Sequence, residues 1–243
     1  MSRSDDHTPI WARPAPGERR PAHTRERIAE TALLIADEEG FEAVTMRRIA
    51  RVLGAGTMTL YHYVRNKDEL AALMDDAIMG ELLVPEDELA EDWREGMAQI
   101  ARRSYEAFQR HPWVFDQVPV PPGGPNALRH VEQSLTVASR TGLGEQAVFE
   151  IVALVDDYVL GFASRAREAR SRDTGEGAED RLDGLVAYLD ALLATGEFPT
   201  IAAWAGDDPR AGFARVAAMA ADPGRFERGL QALLDGIELR VKG

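Results

Sequence analysis

The sequence predicts an all-α protein. Segments in which apolar residues recur every three or four positions follow one another along the chain, as amphipathic helices require. Glycine, proline or polar stretches separate these segments. No run alternates β-branched with polar residues as a half-buried strand would, and there is no internal repeat. We therefore expect two helical domains, residues 24–70 and 71–243, preceded by an arm.

The arm is residues 1–23. It contains four prolines and several arginines, among them Arg13, Arg19 and Arg20, and it shows no periodic apolar pattern. Such a composition is typical of a flexible segment. These three arginines could follow an anionic partner such as the minor groove of DNA, and a tail without function is the alternative.

Three short helices are expected in residues 24–70. The first begins near Thr24 and ends at Gly40, since Ile28, Ala32, Ile35 and Ala36 share one face. Thr45 is a good N-cap for a second helix through Leu53, with Ile49, Ala50 and Leu53 directed inward. Gly54-Ala55-Gly56 ends it, and a third helix follows over about residues 57–64, with Leu60 inward.

Longer helices are expected in the rest of the chain. Asn66 or Asp68 is placed to cap one that carries Leu70, Leu73, Met74, Ala77 and Ile78 on one face. Breakers then separate helices at about residues 90–110, 125–140, 145–170, 181–195 and 223–241.

Composition limits the classes of function. The chain lacks cysteine, so disulfides and thiolate metal sites are excluded and a cytoplasmic location is expected. The N-terminus has no apolar signal-peptide core, and no apolar run approaches the length of a membrane span. The net charge is −13, yet residues 47–67 hold five basic and no acidic side chains. A phosphate backbone would meet that local excess of positive charge.

The segment TMRRIARVLGAGTMTLYHYVRNK, residues 45–67, combines this charge with a helix-turn-helix pattern. In that motif the second helix enters the major groove with its first residues toward the base edges. Thr57, Met58 and Thr59 occupy that leading end, where small polar and apolar groups can reach bases. Tyr61, His62 and Tyr63 carry groups that can reach phosphates, with Arg47 and Lys67 in the flanking elements.

Residues 24–81 resemble the N-terminal domain of the tetracycline-repressor (TetR) family. The segments that carry the resemblance are TRERIAETALLIADEEGFEAVTMRRIARVLG and TMTLYHYVRNKDELAALM. The resemblance implies base or groove contacts by Arg47, Thr57, Met58 and His62. It implies phosphate contacts by Thr45, Thr59, Tyr61, Tyr63 and Lys67.

The segments RHPWVFDQVPVPPGGPNALRHVEQSL and ALVDDYVLGFASRA are similar to the C-terminal domain of the tetracycline repressors themselves. This similarity implies a homodimer that binds operator DNA and a small-molecule inducer. Large apolar side chains spread over several helices are typical of a drug-sized pocket. The candidates are Trp93, Met97, Phe108, Trp113, Phe115, Leu128, Val131, Leu135, Phe149, Tyr158, Phe162 and, outside these helices, Trp204.

No cofactor or metal is expected. Val118 stands at the position aligned with the histidine through which tetracycline repressors bind a magnesium chelate, and the five histidines lack metal-ligand spacing. Two helices, residues 146–163 and 223–241, carry more apolar surface than one core needs and are the expected dimer interface.

The sequence therefore predicts a ligand-responsive repressor released from a palindromic operator by a small, largely apolar molecule. A ligand-independent regulator or an activator is the alternative. An enzyme is disfavoured because no nucleophile–base pair, glycine-rich phosphate loop or paired carboxylates form a motif.

Overall fold

The computed structural model describes residues 8–13, 23–116, 123–172 and 178–242, and those residues contain eleven α-helices and no strand. The helices are α1 (Arg25–Glu39), α2 (Met46–Leu53), α3 (Thr57–Tyr61), α4 (Lys67–Leu82), α5 (Trp93–Arg110), α6 (Pro125–Ser139), α7 (Glu145–Arg172), α8 (Ala178–Leu193), α9 (Pro199–Ala205), α10 (Pro209–Ala221) and α11 (Gly224–Lys242). The all-α prediction is confirmed.

The first three long N-terminal helices begin at side-chain caps. The side-chain oxygens of Thr24, Thr45 and Asn66 accept hydrogen bonds from backbone N–H groups three residues later, at 3.2, 3.1 and 2.8 Å. Each bond satisfies a donor that the first turn of a helix leaves free. Helix α2 ends at Gly54, whose φ of 64° lies in the left-handed region that favours glycine. The predicted caps and breaker are therefore present.

Helix α4 is the central element of the N-terminal half. It packs on α1 and also on α5 and α6. Its buried face includes Leu70, Leu73, Met74 and Ile78, as its apolar spacing predicts, together with Asp76. The domain boundary expected near residue 70 lies inside this helix, so α4 is shared by the helices on both sides.

The chain divides into two compact units, residues 1–163 with 234–243 and residues 164–233. Two helices of the second unit, α9 and α10, were not predicted. Both start with a proline at a first-turn position, and Asp208 caps α10 by accepting a hydrogen bond from Ala211 N–H at 3.1 Å. Their apolar residues are mainly alanines, which leave no stripe of large side chains for sequence reasoning to detect.

Candidate DNA-binding surface and ligand-binding region

Helices α2 and α3 form the helix-turn-helix. The inward residues Ile49 and Leu60 are fully buried, as predicted, whereas Leu53 is only half-buried at the end of α2. Helix α3 is short and ends at Tyr61, followed by a turn through His62 and Tyr63. The reading head, defined here as residues 24–70, therefore presents α3 on a firmly packed support.

Most of the predicted DNA-contact residues form an accessible surface. Arg47, Thr59, His62 and Lys67 are exposed, as is the N-cap residue Thr45. Met58 is 75% exposed and Tyr61 42%, so an apolar and an aromatic side chain of α3 are accessible to a partner. Thr57 is half-buried.

Tyr63 differs from its neighbours because it is 7% exposed. Its carbonyl accepts a hydrogen bond from Arg25 Nε at 3.3 Å, so the residue also anchors α1. A phosphate contact by Tyr63 stays a prediction, and only the small exposed part of the side chain is available for it.

Two cations beside α3 have intramolecular partners. Arg48 pairs with Glu39, whose oxygens lie 2.5–3.3 Å from its guanidinium nitrogens. The hydrogen bond from Arg48 lowers the pKa of Glu39 and keeps that carboxylate charged. Lys67 Nζ lies 5.0 Å from the centre of the Phe41 ring, a cation–π contact that leaves the ammonium exposed.

The start of the arm is packed against the reading head. Residues 10–12 form a 3-10 turn in which Ile10 is 3% exposed. Arg25 donates hydrogen bonds to the carbonyls of Ile10 and Arg13, at 2.9 and 3.0 Å. Arg13 forms a 2.5 Å ion pair with Glu69 that lacks hydrogen-bond alignment. The structure here differs from a flexible arm, because Ile10 is an apolar anchor that the sequence pattern did not reveal; Arg19 and Arg20 lie outside the described residues.

A cluster of polar and aromatic side chains joins the reading head to the helices that follow. This junction cluster comprises Asp37, Phe41, Glu81, His111 and Trp113. Asp37 lies 2.8 Å from His111 Nδ1 and accepts a hydrogen bond from Trp113 Nε1 at 2.7 Å. Glu81 lies 3.2 Å from His111 Nε2, and the Trp113 ring stacks on Phe41 with centroids 5.5 Å apart.

The charges of the junction cluster are compensated. Burial acts to raise the pKa of Glu81, but the hydrogen bond from Arg110 and the proximity of His111 outweigh it and hold that pKa below its usual value. Arg110 reaches Glu81 at 2.6 Å. The segment after α5 is therefore tied to both α1 and α4 through hydrogen bonds and an aromatic stack.

Asp76 makes a second connection, between α4 and the start of α6. Its buried carboxylate accepts hydrogen bonds from the backbone N–H groups of Asn126 and Ala127, at 2.8 and 3.1 Å. An acid from α4 thus satisfies the first turn of α6, where the helix dipole favours negative charge. A displacement of α6 would act directly on α4.

The predicted ligand-binding residues do not all come together. Edge-to-face or tilted ring contacts join Tyr105 to Phe162, Phe108 to Phe115 and Tyr158 to Phe162, with centroids 5.5, 5.6 and 6.0 Å apart. Met97 is buried on α5, and Trp93 and Leu135 are half-buried. The five rings in these contacts, on α5, α7 and the segment after α5, are called the aromatic cluster below, and Tyr105 is absent from the sequence-based set.

Other candidates lie elsewhere. Trp113 belongs to the junction cluster, where Asp37 binds its N–H and Phe41 covers its ring. Leu128, Val131 and Phe149 are 64%, 48% and 66% exposed, so none of them lines an enclosed cavity within one chain. The reason is the helical phase: apolar spacing identifies a face but cannot distinguish a core from an uncovered surface. Trp204 is likewise 64% exposed.

Leu128 lines a groove instead, together with residues of the 83–91 connection and of α6. The groove has a volume of about 1220 Å³ and is bordered by acidic residues and two arginines, Arg129 and Arg140. Val118, the position aligned with a magnesium-binding histidine, lies outside the described residues. Among those that are described, no group of three or more histidines or acids could hold a metal ion. No described helix is long and apolar enough to cross a membrane.

The fold and the exposed α2–α3 surface define a helix-turn-helix DNA-binding protein with a helical C-terminal region. Comparison with known families agrees. Residues 28–74 match the family described as bacterial regulatory proteins, tetR family, and residues 84–241 match the tetracyclin repressor-like C-terminal domain. The chain belongs to the TetR family of transcriptional regulators.

Individual relatives extend over nearly the whole chain. The HTH-type transcriptional repressor DrrR1 of Streptomyces coeruleorubidus is 34% identical over 94% of this chain and 82% of its own length. A regulator of Saccharopolyspora erythraea is 31% identical over 88% and 92%. Among solved structures, Streptomyces coelicolor ActR in complex with actinorhodin has a TM-score of 0.66 and 32% identity, covering 88% of this chain and 95% of ActR.

Proposed function

We propose that this regulator is a homodimeric repressor that leaves a palindromic operator when a small, largely apolar molecule binds its C-terminal region. The observation that carries the proposal is the uncovered surface of α3. Met58 and Tyr61 are exposed there beside Arg47 and Lys67, on a helix whose other side is anchored by the fully buried Leu60. A surface of this composition fits the major groove of DNA.

The roles of the surface residues follow from their positions. Thr57, Met58, His62 and Arg47 are assigned to the bases or the groove. Exposed hydroxyl, phenol and ammonium groups of Thr45, Thr59, Tyr61 and Lys67 are assigned to phosphates, with a lesser part for Tyr63. Because such a protein acts on chromosomal DNA, we assign it to the cytoplasm.

Ligand response requires a physical connection to α3, and α4 provides it. The start of α4 follows the turn after α3, and further along the helix Asp76 binds α6 and Glu81 belongs to the junction cluster. A ligand that shifts α5 or α6 would alter both connections. It can change operator affinity only by its difference in affinity for the two arrangements.

The relatives support a ligand-responsive repressor. DrrR1 is a repressor by name, and ActR has been solved with actinorhodin bound. We assign the ligand to the aromatic cluster, because a group of rings on three separate segments offers the stacking area that a largely apolar molecule needs. An activator, or a regulator without a ligand, is the alternative that operator measurements distinguish.

The test begins with selection of the operator from genomic fragments bound by the protein. Tyr61→Ala and Lys67→Ala should then weaken binding to all sequences, and Lys67→Ala, which removes a positive charge, should lower the slope of log affinity against log salt by about 1. Arg47→Ala should also relax base preference, with a loss of about 1–3 kcal/mol for a bidentate contact.

The control is Arg102→Ala, which removes one positive charge on α5, outside the reading head. It should bind the operator as the unchanged protein does. If Tyr61→Ala, Lys67→Ala and Arg47→Ala also bind like the unchanged protein, α3 is not the reading helix. Operator binding that no small molecule alters would favour the ligand-independent alternative.

A further inference from the structure

Three buried polar atoms on α5 and α6 lack a hydrogen-bond partner. They are Ser104 Oγ on α5 and His130 Nδ1 and Ser134 Oγ on α6. The three residues are only 5%, 8% and 1% exposed. Buried polar groups are nearly always paired, so three such groups on two neighbouring helices require an explanation.

The register of the two helices places the three residues at similar heights along the pair. An added Cβ at Gly96 would lie 2.8 Å from Val137, and Arg140 donates a hydrogen bond to the carbonyl of Ala90, so the end of α6 lies at the start of α5. At the other end, the Asn126 side chain of α6 lies beside Gly80 of α4. Arg103 of α5 donates a hydrogen bond from Nε to the carbonyl of Glu81, the next residue of α4. The helices are antiparallel.

Counting along this antiparallel pair sets the levels. From the Gly96–Val137 contact, Ser104 lies eight residues along α5 and His130 seven residues back along α6, so a rise of about 1.5 Å per residue brings them to nearly the same height. Ser134 shares the stripe of Val137 and His130, and lies about one turn away.

Aromatic side chains flank Ser104 along α5. Ser104 is next to Tyr105, which contacts Phe162 of α7, and is one turn before Phe108, which contacts Phe115. None of the three polar groups is a permanent cation or a carboxylate. Burial also lowers the pKa of His130 and so favours its neutral form.

We propose that Ser104, His130 and Ser134 are the hydrogen-bonding groups of the ligand site, and that the ligand is a flat, uncharged aromatic molecule bearing two or more hydroxyl or carbonyl groups. The aromatic cluster supplies stacking area, and the two serines and the histidine supply donors and acceptors. This inference rests on the proposed ligand response and adds the chemical class of the ligand and the residues that select it.

Because the two serine hydroxyls are unpaired in the free protein, their removal should affect stability and ligand affinity differently. Ser104→Ala and Ser134→Ala remove a buried unpaired hydroxyl, so the thermal midpoint of the free protein should be unchanged or raised. The same substitutions should weaken binding of 1,8-dihydroxyanthraquinone, measured by fluorescence titration, by about tenfold each, which is the usual worth of a hydrogen bond. Anthracene has the same three-ring shape without oxygen, and its affinity should not fall.

Ser139→Ala changes an exposed serine of α6 and should alter neither readout. His130→Leu should act like the buried serine variants on binding. Lower thermal midpoints with unchanged affinity would overturn the inference, because the hydroxyls would then be structural.

Failure of the inference is distinguishable from failure of the proposed function. Tight operator binding with no preference for 1,8-dihydroxyanthraquinone over anthracene would overturn the assigned ligand class and leave the regulator role intact. Selective binding of the oxygenated probe that each serine substitution weakens about tenfold would support the inference, even where operator affinity does not respond and the repressor mechanism fails.

Discussion

At the scale of single residues, adjacent positions in α7 illustrate how environment sets chemistry. Asp156 is half-buried, whereas Asp157 is exposed. Burial, with a smaller contribution from the charge of Asp157, raises the pKa of Asp156 to about 6. A carboxyl whose pKa is higher in the folded than in the unfolded chain lowers stability as the pH rises from its ordinary pKa of 3.8, and the loss is complete above about pH 6.

This loss of stability predicts a pH-dependent effect. Asp156→Asn should raise the thermal midpoint at about pH 7.5, where the carboxylate is charged, and the gain should shrink at about pH 5, where it is largely protonated. Asp157→Asn is the matched control and should give a smaller gain at pH 7.5, because it removes only the lesser cause of the raised pKa of Asp156. Equal shifts for both variants at both values of pH would show that burial is not the cause.

For single residues of the reading head, the sequence predicts burial at some positions and not at others. Ile49 and Leu60 could be assigned to the core because helical spacing and apolar character agree at both. Tyr61 and Tyr63 are two residues apart in the same sequence segment, yet Tyr61 is exposed and Tyr63 is buried. Helix α3 ends between them, and no pattern fixes the end of a five-residue helix.

At the scale of elements, sequence patterns located the helices that have strong signals. Thr45 and Asn66 were recognisable caps, and the breakers at Gly54 and Gly142 separate helices as expected. The alanine-rich helices α9 and α10 gave no such signal. Gly212 shows what holds them together, since a Cβ there would overlap the backbone of Ala205. That close approach is a tertiary contact that local sequence does not encode.

The connection between α4 and α6 also depends on a glycine. A Cβ at Gly124 would overlap the side chain of Asp76, which accepts the first N–H groups of α6. Gly124→Ala should therefore displace the carboxylate, lower stability by about 1–3 kcal/mol through the unsatisfied buried groups, and weaken the effect of ligand on operator affinity.

Thermal melting and operator titrations with and without the inducing probe measure both effects. Gly144→Ala is the control, because an added Cβ there meets open space. If Gly124→Ala leaves stability and ligand response unchanged, Asp76 does not transmit movement from α6 to α4.

Within the arm, Ile10 and Arg13 are packed against the reading head, whereas Arg19 and Arg20 lie outside the described residues. Arg13 is held by Glu69, and Ile10 is buried, so deletion of residues 1–20 would disturb the fold as well as any DNA contact. Arg19 and Arg20 are better targets. We expect Arg19→Ala with Arg20→Ala to weaken operator binding and to reduce its salt dependence, because arginines on an extended arm can follow the minor groove.

The melting temperature and dimerisation of this double variant should be unchanged. Arg102→Ala with Arg210→Ala removes the same charge from α5 and α10, outside the reading head and the two helices of the expected dimer interface, and is the control. Unchanged operator affinity at every salt concentration would show that the arm does not touch DNA.

At the scale of the whole molecule, a helix-turn-helix reads a palindrome only as a pair, so the interface between two copies decides function. The sequence favoured the helices at 146–163 and 223–241. Within the second, Phe226, Leu230, Leu234 and Ile237 are at most 5% exposed in a single chain. Charged residues at Leu230 or Leu234 would therefore unfold the protein, and these positions cannot test dimerisation.

The exposed leucines of the same helices can test it. Leu154 and Leu160 on α7 are each 42% exposed and Leu239 on α11 is 75% exposed, while Arg240 joins the two helices through Glu150 at 3.1 Å. An uncovered apolar surface on two joined helices is typical of a dimer interface.

Leu154→Glu with Leu239→Glu should give a folded monomer in sedimentation experiments, with operator binding lost because the second reading head no longer contributes. Leu185→Glu, at a 51% exposed position of α8, is the control and should remain dimeric. A dimer that survives the double substitution with full operator affinity would place the interface elsewhere on the molecule.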